Sequence, residues 1–262
     1  MSTDYTPLVF NEELHKYTYN DNIFNSITSV LKSLSEEKDW YTIAENYANK
    51  HGETPEYWQN KWKENSEYAA NCGTIYHKLE EDKLKNSKDL IVYSENLDSI
   101  GNKLSYDLRD LKPGIYPELI IYHLRSLLCG TSDIVEIYSD RTFSISDHKT
   151  TIPKKMKFEA ESFYSRKKQR KIKEKFLAPI SHIDQCEGMK YTLQLSLYAY
   201  MLEQFGYTCR DLSINHVILK RDHEDMIILE NGKPIVLEVK VIPIEYLKDE
   251  AQSIIEFYEI IS

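Results

Sequence analysis

The sequence predicts an α/β domain with a central mixed β-sheet flanked by helices. Three observations carry this. Three β-prone runs separated by turn residues occupy the middle of the chain. Segments with helical apolar spacing lie before and after them. The later elements then follow as helix, strand, hairpin and helix, an order that suits one α/β domain. The 262 residues suffice for a sizeable core, and 41% hydrophobic content fits a folded chain.

The elements follow in order. Leu8-Val9-Phe10 and His15 to Tyr19 are short β-prone runs, and Asn20-Asp21-Asn22 is a turn. Ser26 or Thr28 caps a helix from about Ser29 to Leu34. Trp40 to Lys50 and Glu56 to Asp82 are helical, with Gly73 the exception to their lack of breakers. After a polar break at Asn86 to Asp89, Leu97 to Leu111 reads as a further helix, stopped by Lys112-Pro113-Gly114. Tyr116 to His123, Cys129 to Tyr138 and Thr142 to Lys149 are strands, with a hairpin turn at Ser139-Asp140-Arg141. A helix spans Tyr191 to Phe205, with Leu193, Leu197, Tyr200 and Met201 at apolar spacing and Gly206 at its end. Leu212 to Leu219 is a strand. Met226 to Leu229 and Ile235 to Val241 form a hairpin about Asn231-Gly232, and a last helix covers about Ile244 to Tyr258. The whole reads as one domain over 1–262, with a β/helical N-terminal region (1–70) and a basic insertion (154–187).

Composition narrows the function. No apolar run approaches the roughly 18 residues of a membrane span, and Met1 to Phe10 lacks the pattern of a signal peptide, so a cytoplasmic location is expected. Cys72, Cys129, Cys186 and Cys209 include no C-x-x-C pair, so neither a zinc ribbon nor an iron–sulfur cluster is expected. The net charge of -9 argues against a general polyanion binder. Yet Lys154 to Lys175 holds ten Lys or Arg and three Glu, a balance of +7 that leaves -16 elsewhere. A basic segment on an acidic body suits a local face that meets a polyanion, and suits a solvated charged loop equally well.

The chemistry concentrates in two strands. Asp133, in Gly130-Thr131-Ser132-Asp133, and Asp147, in Asp147-His148-Lys149, lie on adjacent hairpin strands about 5 Å apart. Asp147 and Lys149 share a strand face. Two carboxylates suit a hard divalent cation, and a lysine beside them suits stabilising charge on a phosphate under attack. Read alone, Asp-x-Lys is also an ordinary strand end. Three more features join it. His77 and Glu81 share a helix face in Gly73-Thr74-Ile75-Tyr76-His77, Gln194 and Tyr198 put polar tips one turn apart on a core-like helix, and Glu118 offers another carboxylate at a strand start.

In this order, these five motifs resemble the PD-(D/E)XK nuclease superfamily, specifically its RecB-like branch, over about half the chain. His15-x-Tyr17 and Ser26 to Val30 also resemble the start of small phage nucleases of that branch. The resemblance implies a restriction-endonuclease-like core and Mg²⁺ or Mn²⁺ held by Asp133, Asp147 and the backbone carbonyl of His148, with His77 as a further ligand. It implies Lys149 as the catalytic lysine, Glu118 as a second-metal or water ligand, and Gln194 and Tyr198 as an active-site pair that contacts DNA or supports the lysine. The basic insertion is wider than in compact members. Arg166, Lys167, Lys168, Arg170 and Lys171 are its expected phosphate contacts, and Phe163 and Tyr164 are expected either to stack on a base or to anchor the loop. The expected activity is DNA hydrolysis, with relatives leaning towards exonuclease action in recombination, repair or degradation, alongside a recombination partner protein. A structure-specific endonuclease and a non-catalytic DNA-binding or assembly protein remain as alternatives. The sequence leaves oligomeric state open.

Overall fold

A computed structural model of the chain describes residues 5–165 and 170–261. Its strands are β1 Val9–Asn11, β2 Lys16–Tyr19, β3 Asn22–Ser26, β4 Asn96–Leu97, β5 Lys103–Leu104, β6 Gly114–His123, β7 Leu128–Ile137, β8 Thr142–Lys149, β9 Phe163–Ser165, β10 Arg170–Ile172, β11 Thr208–Leu219, β12 Leu229–Glu230, β13 Lys233–Pro234 and β14 Val236–Pro243. The helices are α1 Ile27–Ser33, α2 Trp40–His51, α3 Pro55–Lys85, α4 Glu187–Glu203 and α5 Lys248–Ile261. Ten strands form one mixed sheet in the order β14-β11-β8-β7-β3-β2-β1-β5-β4, with β6 also paired to β7. β8–β11 and β3–β7 are parallel, while β6–β7, β7–β8 and β11–β14 are antiparallel. The expected mixed sheet with flanking helices is therefore the architecture observed.

Alternation along β11 shows how the layers form. Leu212 joins the main core with Leu193, Leu197 and Leu202 of α4 and Ile254 of α5. Val217 and Leu219, of opposite parity, join a second cluster with Cys72 and Tyr76 of α3. Successive strand residues face opposite ways, so α4 and α3 cover opposite faces. Ile145 of β8 belongs to the α4 side, whereas the His148 ring meets Tyr76 of α3, with centroids 5.5 Å apart.

Several local features differ from the sequence reading. The turn at Asn20 and Asp21 has φ of 44° and 65°, both left-handed. It closes a β2–β3 hairpin, so Asn22 begins a strand. Ser26 then caps α1, its hydroxyl accepting the Ser29 N–H at 3.2 Å. No helix forms over Leu97 to Leu111. Asp98 accepts the backbone N–H groups of Ile100 and Asn102, both at 2.9 Å, and Gly101 is left-handed. Asp107 takes the Arg109 N–H in the same manner. These side-chain bonds offer the backbone a turn in place of a helix, and the segment yields only β4, β5 and turns. α3 runs unbroken from Pro55 to Lys85, through residue 70. No helix among the described residues is long and apolar enough to cross a membrane.

Candidate metal centre and active site

The backbone register sets three carboxylates in a row. In the β6–β7 ladder, Pro117 pairs with Ile134 and Leu119 with Ser132, so Glu118 stands opposite Asp133 at an omitted rung. In the β7–β8 ladder the last pair is Ile134 with Ser146, and the next positions outward are Asp133 and Asp147. Asp133 therefore lies between Glu118 and Asp147 on three adjacent strands. Glu118 has φ of 52°, a left-handed conformation that a non-glycine residue holds at a cost of about 1–3 kcal/mol and that accompanies the omitted rung.

Beyond this row the sheet has a gap. Along one edge of β7, β3 pairs with Leu128 and Cys129 and β8 pairs with residues 134–137, leaving 130–133 without a strand on that side. Groups from both faces enter the gap. His77 arrives from α3, its Nδ1 3.3 Å from Asp133 Oδ2. Lys149, on the α4 side, places its ammonium 2.5 Å from Asp147 Oδ2 and 4.9 Å above the Tyr191 ring. The backbone N–H of His148 donates to Asp133 Oδ2 at 2.7 Å. Gly73 explains how α3 comes so near, since a Cβ there would stand 3.2 Å from Thr150 Oγ1.

Ligand atoms of His77, Glu118 and Asp133 lie within 4.8 Å of one another. With Glu80, Glu81, Leu84, Ile134 and His148 they line a cavity of about 10 Å³, room for about one water-sized sphere. Electrostatics mark the same spot. Burial, then the charge of Asp133, raises Glu118 to about 7 against the pull of Lys103 and His77. Burial and Asp133 likewise raise Asp147 to about 6, opposed by Lys149. Asp133 is also penalised by burial, but the His77 hydrogen bond and charge, Lys149 and the His148 N–H hold it below its ordinary value. Burial pulls His77 down, yet Asp133 and Asp147 carry it upward overall. Lys149 behaves similarly, its burial outweighed by Asp147 and Asp133.

These residues fit a hard divalent cation. Carboxylate oxygens and one imidazole nitrogen suit Mg²⁺ or Mn²⁺, and clustered acids with raised pKa values are those a cation would relieve. Asp147 Oδ2 is buried against the Lys149 ammonium at 2.5 Å, and His148 Nδ1 is buried without a partner.

The structure thus brings together His77, Glu118, Asp133, Asp147, His148 and Lys149. Asp147 is 1% exposed and stands behind the triad, against Lys149. Gln194 and Tyr198 are buried at 7% and 2%, and Gln194 Nε2 donates to Tyr198 Oη at 3.2 Å. In this fold both lie on the α4 side of the sheet, the side that also carries Lys149. They pack behind the sheet, where a Cβ on Gly130 would meet Tyr198 Oη at 2.6 Å. Arg166, Lys167 and Lys168 lie outside the described residues; Arg170 and Lys171 lie on β10, and Lys171 is exposed. Phe163 is 44% exposed on β9.

Other participants escaped the sequence reading. Glu80 lines the cavity one helical turn after His77, a spacing visible in the sequence. Tyr191 supports Lys149 and shares a hydrogen bond of 2.6 Å with Thr151 Oγ1; its position three residues before Gln194 was the one signal. Lys103 pairs with Glu95 at 2.6 Å and Glu12 at 2.9 Å, and its charge reaches Glu118. No short-range pattern announces that network. His216, opposite Lys149 on β11, is 2.7 Å from the Thr151 carbonyl through Nε2 and ties down the chain after β8.

No family model matches this chain, and no curated protein matches it.

Proposed function

We propose that the protein is a Mg²⁺- or Mn²⁺-dependent deoxyribonuclease that hydrolyses phosphodiester bonds. The observation that carries this reading is the meeting of His77, Glu118 and Asp133 around a small cavity, with the Asp147–Lys149 pair against it. His77, Glu118 and Asp133 would hold the cation, with Asp147 as the next oxygen donor. A bound cation supplies Lewis acidity and a lowered pKa for water. Lys149 remains protonated between Asp147 and Asp133, so its ammonium can neutralise charge growing on a phosphate oxygen. Tyr191 keeps that ammonium in place. Without a cation, burial and the charge of Asp133 raise Glu118 to about 7; a bound cation would favour its charged form and so its role as a ligand.

DNA as substrate, exonuclease action, and a role in recombination, repair or degradation follow from the motif resemblance. The β9–β10 segment would hold the phosphate backbone. The test uses end-labelled linear and closed circular DNA with Mg²⁺, with EDTA, and with Asp133→Asn or Lys149→Ala. Expected is Mg²⁺-dependent loss of linear DNA, with a drop of about 10²–10³-fold in the variants. Cutting of closed circles would replace exonuclease with endonuclease action. Wild type that leaves every substrate intact across divalent metals, while binding DNA, would overturn the enzymatic reading in favour of a DNA-binding protein.

A further inference from the structure

β14 is an edge strand of unusual character. It ends the ten-stranded sheet, and among the described residues its only strand partner is β11. Val236, Leu237, Val239 and Val241 are 42%, 62%, 44% and 66% exposed. Edge strands normally carry devices against pairing with another chain. Here the charged residues are Glu238 and Lys240 and Pro243 comes at the end, while the apolar residues beside them stand open over the length of the strand.

The hydrogen bonds show which groups face out. Ile244 N–H donates to the Leu212 carbonyl at 3.0 Å, so Ile244 and, by alternation, Ile242, Lys240 and Glu238 direct their backbone groups towards β11. Val239 and Val241 then direct theirs outward. Leu237 does the same, because the irregularity beside Ile218 and Leu219 pairs Glu238 and Val236 with β11 and leaves Leu237 between them.

We propose that β14 pairs antiparallel with β14 of a second copy of this chain, about a two-fold axis at Val239. Charge selects that register. An axis at Lys240 sets Lys240 against its own copy, and an axis at Glu238 does the same for Glu238, both unfavourable directly across strands. An axis at Val241 brings Pro243, which has no N–H, opposite Val239. The axis at Val239 sets Glu238 opposite Lys240 twice, Leu237 opposite Val241 twice, and Val239 opposite itself. Each outward backbone group then meets one of its kind in the hydrogen-bonding position, and each exposed apolar side chain gains a cross-strand neighbour. Within one copy, Lys240 already lies 3.3 Å from Glu238, so the same two charges can exchange partners across the axis. Closed two-fold association of this sort is the commonest oligomer.

The experiment measures solution mass by light scattering and sedimentation across a concentration series, with folding checked by circular dichroism. The wild type is expected at twice the 30.9 kDa chain mass. Val239→Pro removes an N–H that the subunit does not use and should leave a folded single chain. Lys240→Glu sets acids opposite acids and should weaken the dimer at least tenfold. Glu238→Lys combined with Lys240→Glu restores opposite charges and should restore the dimer. Because the charge variants leave the strand's backbone unaltered, they keep the test decisive if the proline variant misfolds. A wild type at single-chain mass throughout, or a dimer indifferent to all these changes, overturns the proposal. None of these outcomes depends on nuclease activity.

Discussion

Glu118 is the residue at which stability and function oppose each other. Its carboxyl is raised from 4.5 to about 7. The metal-free fold therefore bears no penalty from it below pH 4.5, loses stability as pH rises, and carries the full loss above about 7. The shift corresponds to roughly 3 kcal/mol. Glu118→Gln is expected to raise the melting temperature of metal-free protein at pH 8 and to change it little at pH 4.5. The same variant should lose most of the stabilisation that Mg²⁺ gives the wild type, since stabilisation by a ligand grows with the logarithm of its concentration over Kd and vanishes when Kd rises above that concentration. Thermal melts with Mg²⁺ or EDTA read both effects; an equal Mg²⁺-induced shift in the two proteins would remove Glu118 from the metal set. Metal affinity of the wild type should rise with pH through about 6 to 7, because protons compete for Asp147 and Glu118. At this scale much was legible. Asp133 and Asp147 are neighbours by hairpin arithmetic, and Lys149 follows by strand parity. Lys103 was not legible, because only folding brings β5 towards β6.

Among the elements, α4 and β7 depend on one close approach. A Cβ on Gly130 would lie 2.6 Å from Tyr198 Oη, 2.8 Å from Cε1 and 3.0 Å from Cζ. Most of those atoms belong to the ring, so Tyr198→Phe creates little room. Gly130→Ala is expected to cost about 1–3 kcal/mol through overpacking, and Tyr198→Phe should not rescue it. Urea unfolding of the single and double variants measures this; full rescue would place the strain on the hydroxyl alone. The apolar run of α4, with Leu193, Leu197 and Met201 at helical spacing and Gly206 after it, made that helix readable, as did the alternation and turns of β6 to β8. The segment from Leu97 to Leu111 misled because Leu97, Leu104, Leu108 and Leu111 have near-helical spacing. Leu108 and Leu111 are indeed buried, but Asp98 and Asp107 divert the backbone into turns. Apolar spacing records burial, and local acceptors decide the conformation.

For the whole molecule, the basic stretch is less uniform than its composition. Lys173 and Lys175 bind Asp184 at 3.0 and 2.5 Å, Lys154 binds Asp225 at 3.1 Å, and Lys157 pairs with Glu161. These pairs already engage cations at the base of the insertion, so the proposed phosphate contacts are Arg166, Lys167, Lys168, Arg170 and Lys171. Replacing Arg166, Lys167, Lys168, Arg170 and Lys171 by Ser should weaken DNA binding and reduce the salt slope by about 0.9 for each phosphate that is no longer neutralised. Replacing Lys173 and Lys175 should leave the slope nearly unchanged and lower stability. Fluorescence anisotropy over a salt series separates the two, and the reverse pattern would move the DNA-binding surface to the base of the insertion. A count of charges locates such a segment, but two of the acids that pair with it, Asp184 and Asp225, come from outside the run itself.

The gap beside β7 has a consequence for how the molecule opens. Among the described residues, the N-terminal strands reach the remainder of the sheet through two residue pairs, Asn25 with Leu128 and Ser26 with Cys129. β6, β7, β8 and β11 are joined by far longer ladders. Amide protons of β1 to β3 should therefore exchange with solvent through a separate, lower-energy opening, while those of β7 and β8 wait for global unfolding. Such an opening would swing the β3 border of the gap away while Asp133, Asp147 and Lys149 keep their places on the slow-exchanging strands.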